Sequence, residues 1–267
     1  MTPLDNLVIL KLGGSVITHK ERSPPEINRK SIIRICEELL ISDTPLILVL
    51  GGGAHGHQPA KKYGFANLST PRKKRLDGIP EIRYSMNLLA SAIQAALSEH
   101  QVPCIIIPPI AITKLRNGYI ETIYLSSFRS ALKAGITVIT HGDVCFDAEL
   151  GAAILSGDAL SVHLARELGA KSVLLGTDVD GVLDDNPNRN PDAKLIPTIK
   201  ASEDNPVLNV TGPSKSIDVT GGMKRKLKEL FTLADDNTEI IIFNLNAPGR
   251  LRRILLGEPT IGTRIVT

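Results

Sequence analysis

Six short apolar runs punctuate the chain, at 7–10, 46–50, 104–107, 137–139, 172–175 and 239–243. Each is continuous rather than alternating, the pattern of a strand covered on both faces. Amphipathic spacing between them predicts helices over roughly 29–41, 82–99, 126–134, 158–169 and 222–235. Strand–helix repetition of this kind predicts an α/β fold, a three-layer αβα sandwich around a mostly parallel sheet. Two stretches break the rhythm. Residues 59–81 hold Pro59, Pro71, Pro80, Gly64, Gly78 and the basic run Arg72-Lys73-Lys74-Arg75. They predict a long loop or short-helix excursion, with the charges either over a site or on a solvated face. Residues 184–218, rich in proline and polar side chains, predict a second excursion that returns before the last large helix.

Composition narrows the class of partner. The chain has 267 residues, 42% hydrophobic and 22% charged, enough for a substantial core. A net charge of +3 suits an anionic ligand without requiring nucleic acid. Aromatics are only 3% and Trp is absent, which argues against a stacking surface for single strands. Cys36, Cys104 and Cys145 form no CxxC pair, so neither a zinc site nor a disulfide framework is expected. No apolar run approaches the ~20 residues that cross a bilayer, and the N-terminus lacks a signal pattern. A reduced, cytoplasmic protein without membrane contacts is expected.

The candidate chemistry lies where the runs end. The first runs into Lys11-Leu12-Gly13-Gly14-Ser15 and the second into Gly51-Gly52-Gly53-Ala54-His55-Gly56-His57. The fourth ends in His141-Gly142-Asp143 and the fifth in Gly176-Thr177-Asp178-Val179-Asp180-Gly181. In an open α/β sheet, ligands bind outside the carboxyl ends of the strands. Glycines there let backbone N–H groups approach a polyphosphate with no Cβ in the way. Lys11 and Lys20 flank the first loop and could reach phosphate oxygens, the cations that phosphoryl transfer relies on.

Two other phosphate motifs can be tested directly. A Walker A loop needs Gly-Lys before Ser or Thr, and no Gly-Lys dipeptide occurs. Residues 51–56 formally match GxGxxG. The acidic residue a dinucleotide site wants, however, would be Asp77, which follows the basic run rather than a strand.

Other candidates read two ways. His57 closes the triglycine loop and could donate to an acceptor's oxygens, or hold only a local hydrogen bond. His55 and His141 are similarly placed with weaker claims. Asp158 could cap a helix, hold a lysine or bind magnesium. Asp178 and Asp180 could face ribose, magnesium or only their own turn. The segment 218–223 reads as a helix start that would suit phosphate, with Lys226 one turn inside.

Taken in order, these motifs resemble the amino acid kinase superfamily over nearly the whole chain. Within it the sequence is most similar to the isopentenyl phosphate kinases, with the fosfomycin kinases, which act on a small phosphonate, close behind. The resemblance implies one amino acid kinase domain over 1–267, its acceptor-binding part about 1–170 and its nucleotide-binding part about 171–267. It implies Mg-ATP as phosphoryl donor, a phosphorylated small-molecule acceptor and a homodimer. By position it implies that Lys11, Gly13, Gly14 and Ser15 hold the ATP phosphates and that Lys20 stabilises the transition state. Gly52, His57 and Gly157, with Asp158 beside them, fall on the acceptor side. Gly53 faces both acceptor and ATP. Asp178, Asp180, Gly181, Gly222 and Lys226 fall on the nucleotide side. Where the family's loop usually reads His-Gly-Ala/Gly-Gly-Ser-Phe-Gly-His, Leu50 replaces the first histidine and Ala54-His55 replaces Ser-Phe. Met86, Leu89, Ile93, Ile110 and Ile112 could wall an apolar acceptor tail or pack the core. A non-catalytic nucleotide sensor on the same fold is the reading from another class.

Overall fold

The computed structural model describes residues 6–185, 190, 192–202, 205, 208, 222–234 and 238–267, and the backbone alone at 222–226. The chain opens with β1 (Val8–Leu12), a one-turn α1 (Gly14–Ile17) and a small hairpin of β2 (Thr18–His19) and β3 (Glu26–Ile27). Then come α2 (Arg29–Leu39), β4 (Leu46–Leu50), α3 (Gly53–Lys62), α4 (Arg72–Glu99) and β5 (Cys104–Ile106). After a 3-10 turn at Pro109–Ala111 follow β6 (Thr113–Arg116), β7 (Tyr119–Ile123) and α5 (Ser126–Lys133). The middle continues with β8 (Thr137–His141), β9 (Asp143–Asp147), β10 (Gly151–Leu155), α6 (Gly157–Leu168) and β11 (Ser172–Thr177). The last elements are β12 (Thr198–Lys200), α7 (Gly222–Phe231), β13 (Glu239–Asn244), α8 (Arg250–Leu255) and β14 (Thr263–Val266).

Among the described residues, eight strands form one sheet in the order β12-β14-β13-β11-β1-β4-β8-β5. Every neighbouring pair is parallel except β13 with β14. Strand periodicity sorts the side chains into two cores. Leu7, Ile9, Ile47, Val49, Val173 and Leu175 pack with α5, α6 and α7 through Phe128, Leu160, Leu164 and Leu227. Their neighbours Val8, Leu10, Leu12, Leu48, Leu50 and Leu174 face α2, α4 and α8 through Ile35, Ile82, Met86 and Leu251. The three-layer α/β sandwich follows directly from six runs that are apolar on both faces.

A second sheet, β10-β9-β6-β7, was absent from the sequence reading. β6 alternates buried and exposed positions, unlike the central strands β1, β4 and β11 of the large sheet. Its turn to β7 is Asn117-Gly118, both at positive φ (51° and 81°), a dipeptide suited to a tight hairpin. Asp147 anchors that hairpin by accepting the N–H groups of Asn117 (3.2 Å) and Gly118 (2.8 Å).

The expected excursion at 59–81 needs correction. Residues 59–81 end α3 and begin a 28-residue α4 that continues through Pro80. Gly78 lets the helix lie against Tyr63, whose ring would sit 2.7 Å from an added Cβ. The basic run is no single charged face. Arg75 is 1% exposed and donates to the carbonyls of Asn67 (2.8 Å), Thr70 (3.3 Å) and Ala152 (3.3 Å). Arg72 donates to the carbonyls of Ala148 and Glu149. Arg75→Ala should therefore lower stability by about 3 kcal/mol or more, since it empties a fully buried side-chain site and takes the donor from three carbonyls, that of Ala152 buried. A thermal melt reads that loss, and kcat of the remaining folded protein should not change. The 184–218 stretch also re-enters the large sheet, where β12 lengthens the edge beside β14. Residues 209–221, including most of the expected helix start at 218–223, lie outside the described residues.

Candidate functional site

Strands β11, β1, β4 and β8 are adjacent and parallel, so their carboxyl ends come together at one edge. The four glycine-bearing turns expected from sequence all emerge there, and they interlock. A Cβ on Gly14 would lie 2.2 Å from Gly53 N, and one on Gly51 would lie 2.7 Å from Gly14 N. A Cβ on Gly13 would meet Gly176 O at 2.6 Å, and one on Gly142 would meet Gly157 N at 3.0 Å. Backbone packs on backbone here, which only glycine permits. Thr18 stitches the first two turns by donating to Gly14 O (2.7 Å) and accepting from Ala54 N (3.0 Å). Gly51 N bonds Leu12 O and Gly142 N bonds Leu50 O, each at 2.8 Å. α1, α3 and α6 all begin at this edge, so their free N–H groups are gathered in one place.

Two lysines flank the cradle, each held by a carboxylate. Lys11, near the end of β1, is 7% exposed, and its Nζ lies 3.2 Å from Asp158 Oδ1. Asp158 is thereby a lysine partner and not the helix cap; Ser156 caps α6 by accepting from Ala159 N at 3.0 Å. Lys20 Nζ donates to Asp178 Oδ2 at 2.7 Å, in a pair that is partly open to solvent. Burial works to raise the Asp178 carboxyl, but Lys20 and the Ser15 hydroxyl outweigh it and hold it below the usual range. Such a half-exposed pair adds little stability, so its effect is to orient the lysine.

The other candidates separate. Gly52 is the N-cap of α3, and Gly53, at φ 49°, is its first residue. His57 is half-buried at the fifth residue of α3. His55 points elsewhere: Ser85 O must accept, so Nδ1 carries the proton toward it (3.1 Å). Burial lowers the His55 pKa. Asp180 ties its turn to β13 and α8, accepting from Arg250 (2.7 Å) and Asn244 (3.1 Å), which lower its pKa against burial. A Cβ on Gly181 would meet Thr263 Oγ1 at 2.5 Å, so close packing accounts for that glycine. Gly222 and Lys226 lie on α7, of which only the backbone is described there. Leu50, Met86, Leu89 and Ile93 are core residues at 0–1% exposure, and Met86 Sδ lies 3.4 Å from a Cβ placed on Gly56. Ile110 and Ile112 are half-buried against the other core.

One cluster went unrecognised in the sequence. Arg83, from α4, places Nη1 2.7 Å from Asp143 Oδ2 and 3.2 Å from His141 Nε2. An arginine can only donate, so Nε2 is unprotonated and Nδ1–H donates to Gly142 O (3.0 Å). Burial lowers the His141 pKa, in accord with a neutral ring. No local signal marks Arg83, because its partners lie 58 and 60 residues away.

The model of the amino acid kinase family matches residues 6–244. An isopentenyl phosphate kinase from Methanothermobacter thermautotrophicus is 37% identical, over 97% of this chain and 98% of the relative. One from Methanocaldococcus jannaschii is 34% identical over 94% and 96%. A solved structure of isopentenyl phosphate kinase superposes with a TM-score of 0.84 at 34% identity, covering 97% of this chain and 100% of the other.

Proposed function

Because the chain belongs to the amino acid kinase family, we propose that it is an ATP-dependent isopentenyl phosphate kinase. An acceptor phosphate oxygen attacks the γ-phosphorus of ATP, the bond to the β,γ-bridging oxygen breaks, and isopentenyl diphosphate and ADP leave. The observation that carries this reading is the interlocked glycine edge with Lys11 and Lys20 clamped on either side of it. The near-full-length relatives favour isopentenyl phosphate over a phosphonate as acceptor.

The roles follow from position. N–H groups of Gly13, Gly14 and Ser15 cradle the donor phosphates, with Gly53 between donor and acceptor. Gly52, His57 and Gly157 receive the acceptor phosphate. Lys11 and Lys20 offset the charge that spreads over the transferring group, the term on which phosphoryl transfer chiefly depends. Asp158 keeps Lys11 aimed, and Asp178 does so for Lys20 on the nucleotide side. Gly222 and Lys226 complete that side, while Asp180 and Gly181 support it through their turn. Magnesium travels with ATP in this reading, because it prefers phosphates and water as ligands. Among the described residues no three His, Cys, Asp or Glu side chains gather to hold a metal alone. The same reading includes a homodimer in the cytoplasm. The exposed Tyr84 and Leu88 on one face of α4 could meet a second subunit. No helix among the described residues is long and apolar enough to cross a membrane.

Purified protein with Mg-ATP and isopentenyl phosphate should yield isopentenyl diphosphate and ADP by 31P NMR. Turnover of UMP or fosfomycin with none of isopentenyl phosphate would overturn the acceptor. His57→Ala should lower kcat by about 10²-fold or more if the ring donates to developing charge. His57→Gln should retain more activity than alanine, and unchanged kinetics in a folded variant would remove His57 from the site.

A further inference from the structure

Buried ion pairs seldom stabilise a fold more than well-packed apolar side chains would. The cluster of Arg83, His141 and Asp143 therefore calls for a reason beyond stability. His141 and Asp143 side chains are 0% exposed and Arg83 only 14%. The cluster joins three segments. Arg83 arrives from α4 and bonds Asn87 on the same helix; His141 and Asp143 flank Gly142; and Asp143 Oδ2 accepts the Ile110 N–H at 3.3 Å. Between the imidazole and the carboxylate sits Gly142, its carbonyl held by His141 and its N–H by Leu50 O. Gly142 is also the residue that backs Gly157, with 3.0 Å between its missing Cβ and Gly157 N. The next residue, Asp158, holds Lys11.

We propose that Arg83 is a positioning residue for the acceptor phosphate, clamping the His141-Gly142-Asp143 turn so that the first turn of α6 stays aimed at it. The inference rests on the reading of Gly157 as an acceptor contact. It does not depend on what the phosphate is attached to. Arg83 itself does not touch the reacting atoms; it acts through Gly142 and Gly157.

The test uses the full chain with Arg83→Met and Arg83→Lys. Kinetics are measured on whichever of isopentenyl phosphate, dimethylallyl phosphate and UMP the wild type turns over. Arg83→Met should raise the acceptor KM about tenfold and leave the ATP KM within about twofold, the scale of a small misplacement. Arg83→Lys, which keeps one N–H for Asp143, should recover most of the loss. A merely structural residue would lower the melting temperature and move both KM values together. That result, or an unchanged acceptor KM, overturns the proposal. If Arg83→Met does not fold, a selective rise in acceptor KM in Arg83→Lys supports the clamp and its absence overturns it. If the wild type turns over none of the three, the acceptor reading itself fails, and amide exchange decides the clamp. Faster exchange confined to Gly142 and Gly157–Asp158 in Arg83→Met then sustains it; a uniform or absent change overturns it.

Discussion

Lys11→Met should lower kcat by about 10³-fold, the loss expected when one preorganised charge is removed from a transition state. Methionine keeps most of the side-chain volume, so the strand-end packing survives. The substitution also leaves Asp158 without its lysine, which should lower the melting temperature. Those two losses can be separated. Adding Asp158→Asn removes the stranded charge and should restore the melt without restoring kcat. Recovery of both together would mean that Lys11 serves only the fold.

The second large effect concerns a single methyl group. In Gly14→Ala, the new Cβ would lie 2.2 Å from Gly53 N and 2.5 Å from Gly53 Cα. Both are backbone atoms, so no side chain can rotate away. The first two loops must separate. Overpacking of this kind costs about 1–3 kcal/mol, roughly 2–10 °C in melting temperature for a chain of this size. The cost to kcat/KM should be larger, about 10²-fold or more, since donors on both loops shift together. Gly135→Ala is the control. Gly135 has φ 72° with nothing within 4 Å, so alanine there meets backbone strain alone. It should cost about 1 kcal/mol and leave kcat unchanged.

The large sheet and the glycine edge were legible because their signals are local. A short β-branched or leucine-rich run apolar on both faces, such as 46–50, suits a strand between two layers, and both cores are present. A glycine at the end of each run marks close backbone approach wherever several such turns meet. The small sheet was missed because β6 alternates and β7 has no fully buried position, like ordinary surface segments, although Asn117-Gly118 signals their hairpin. The excursion at 59–81 was misread because Pro71, Gly78 and Pro80 were weighed as breakers. Pro71 instead precedes the first turn of α4, and Gly78 admits the Tyr63 ring. Asp158 was left open between a helix cap, a lysine and magnesium; Ser156, two residues earlier, supplies the cap, and Asp158 pairs with Lys11. Arg83 and Arg75 were beyond reach, since a buried arginine is defined by carbonyls and carboxylates that the fold brings from elsewhere.

A crystal structure with a non-hydrolysable ATP analogue and isopentenyl phosphate would place both anions directly. The γ-phosphate should lie over the Gly13–Ser15 turn within hydrogen-bond reach of Lys11 and Lys20, with the acceptor phosphate facing it from Gly52 and Gly157. Density for either phosphate at another edge of the sheet, or for the two too far apart to react, would contradict the account.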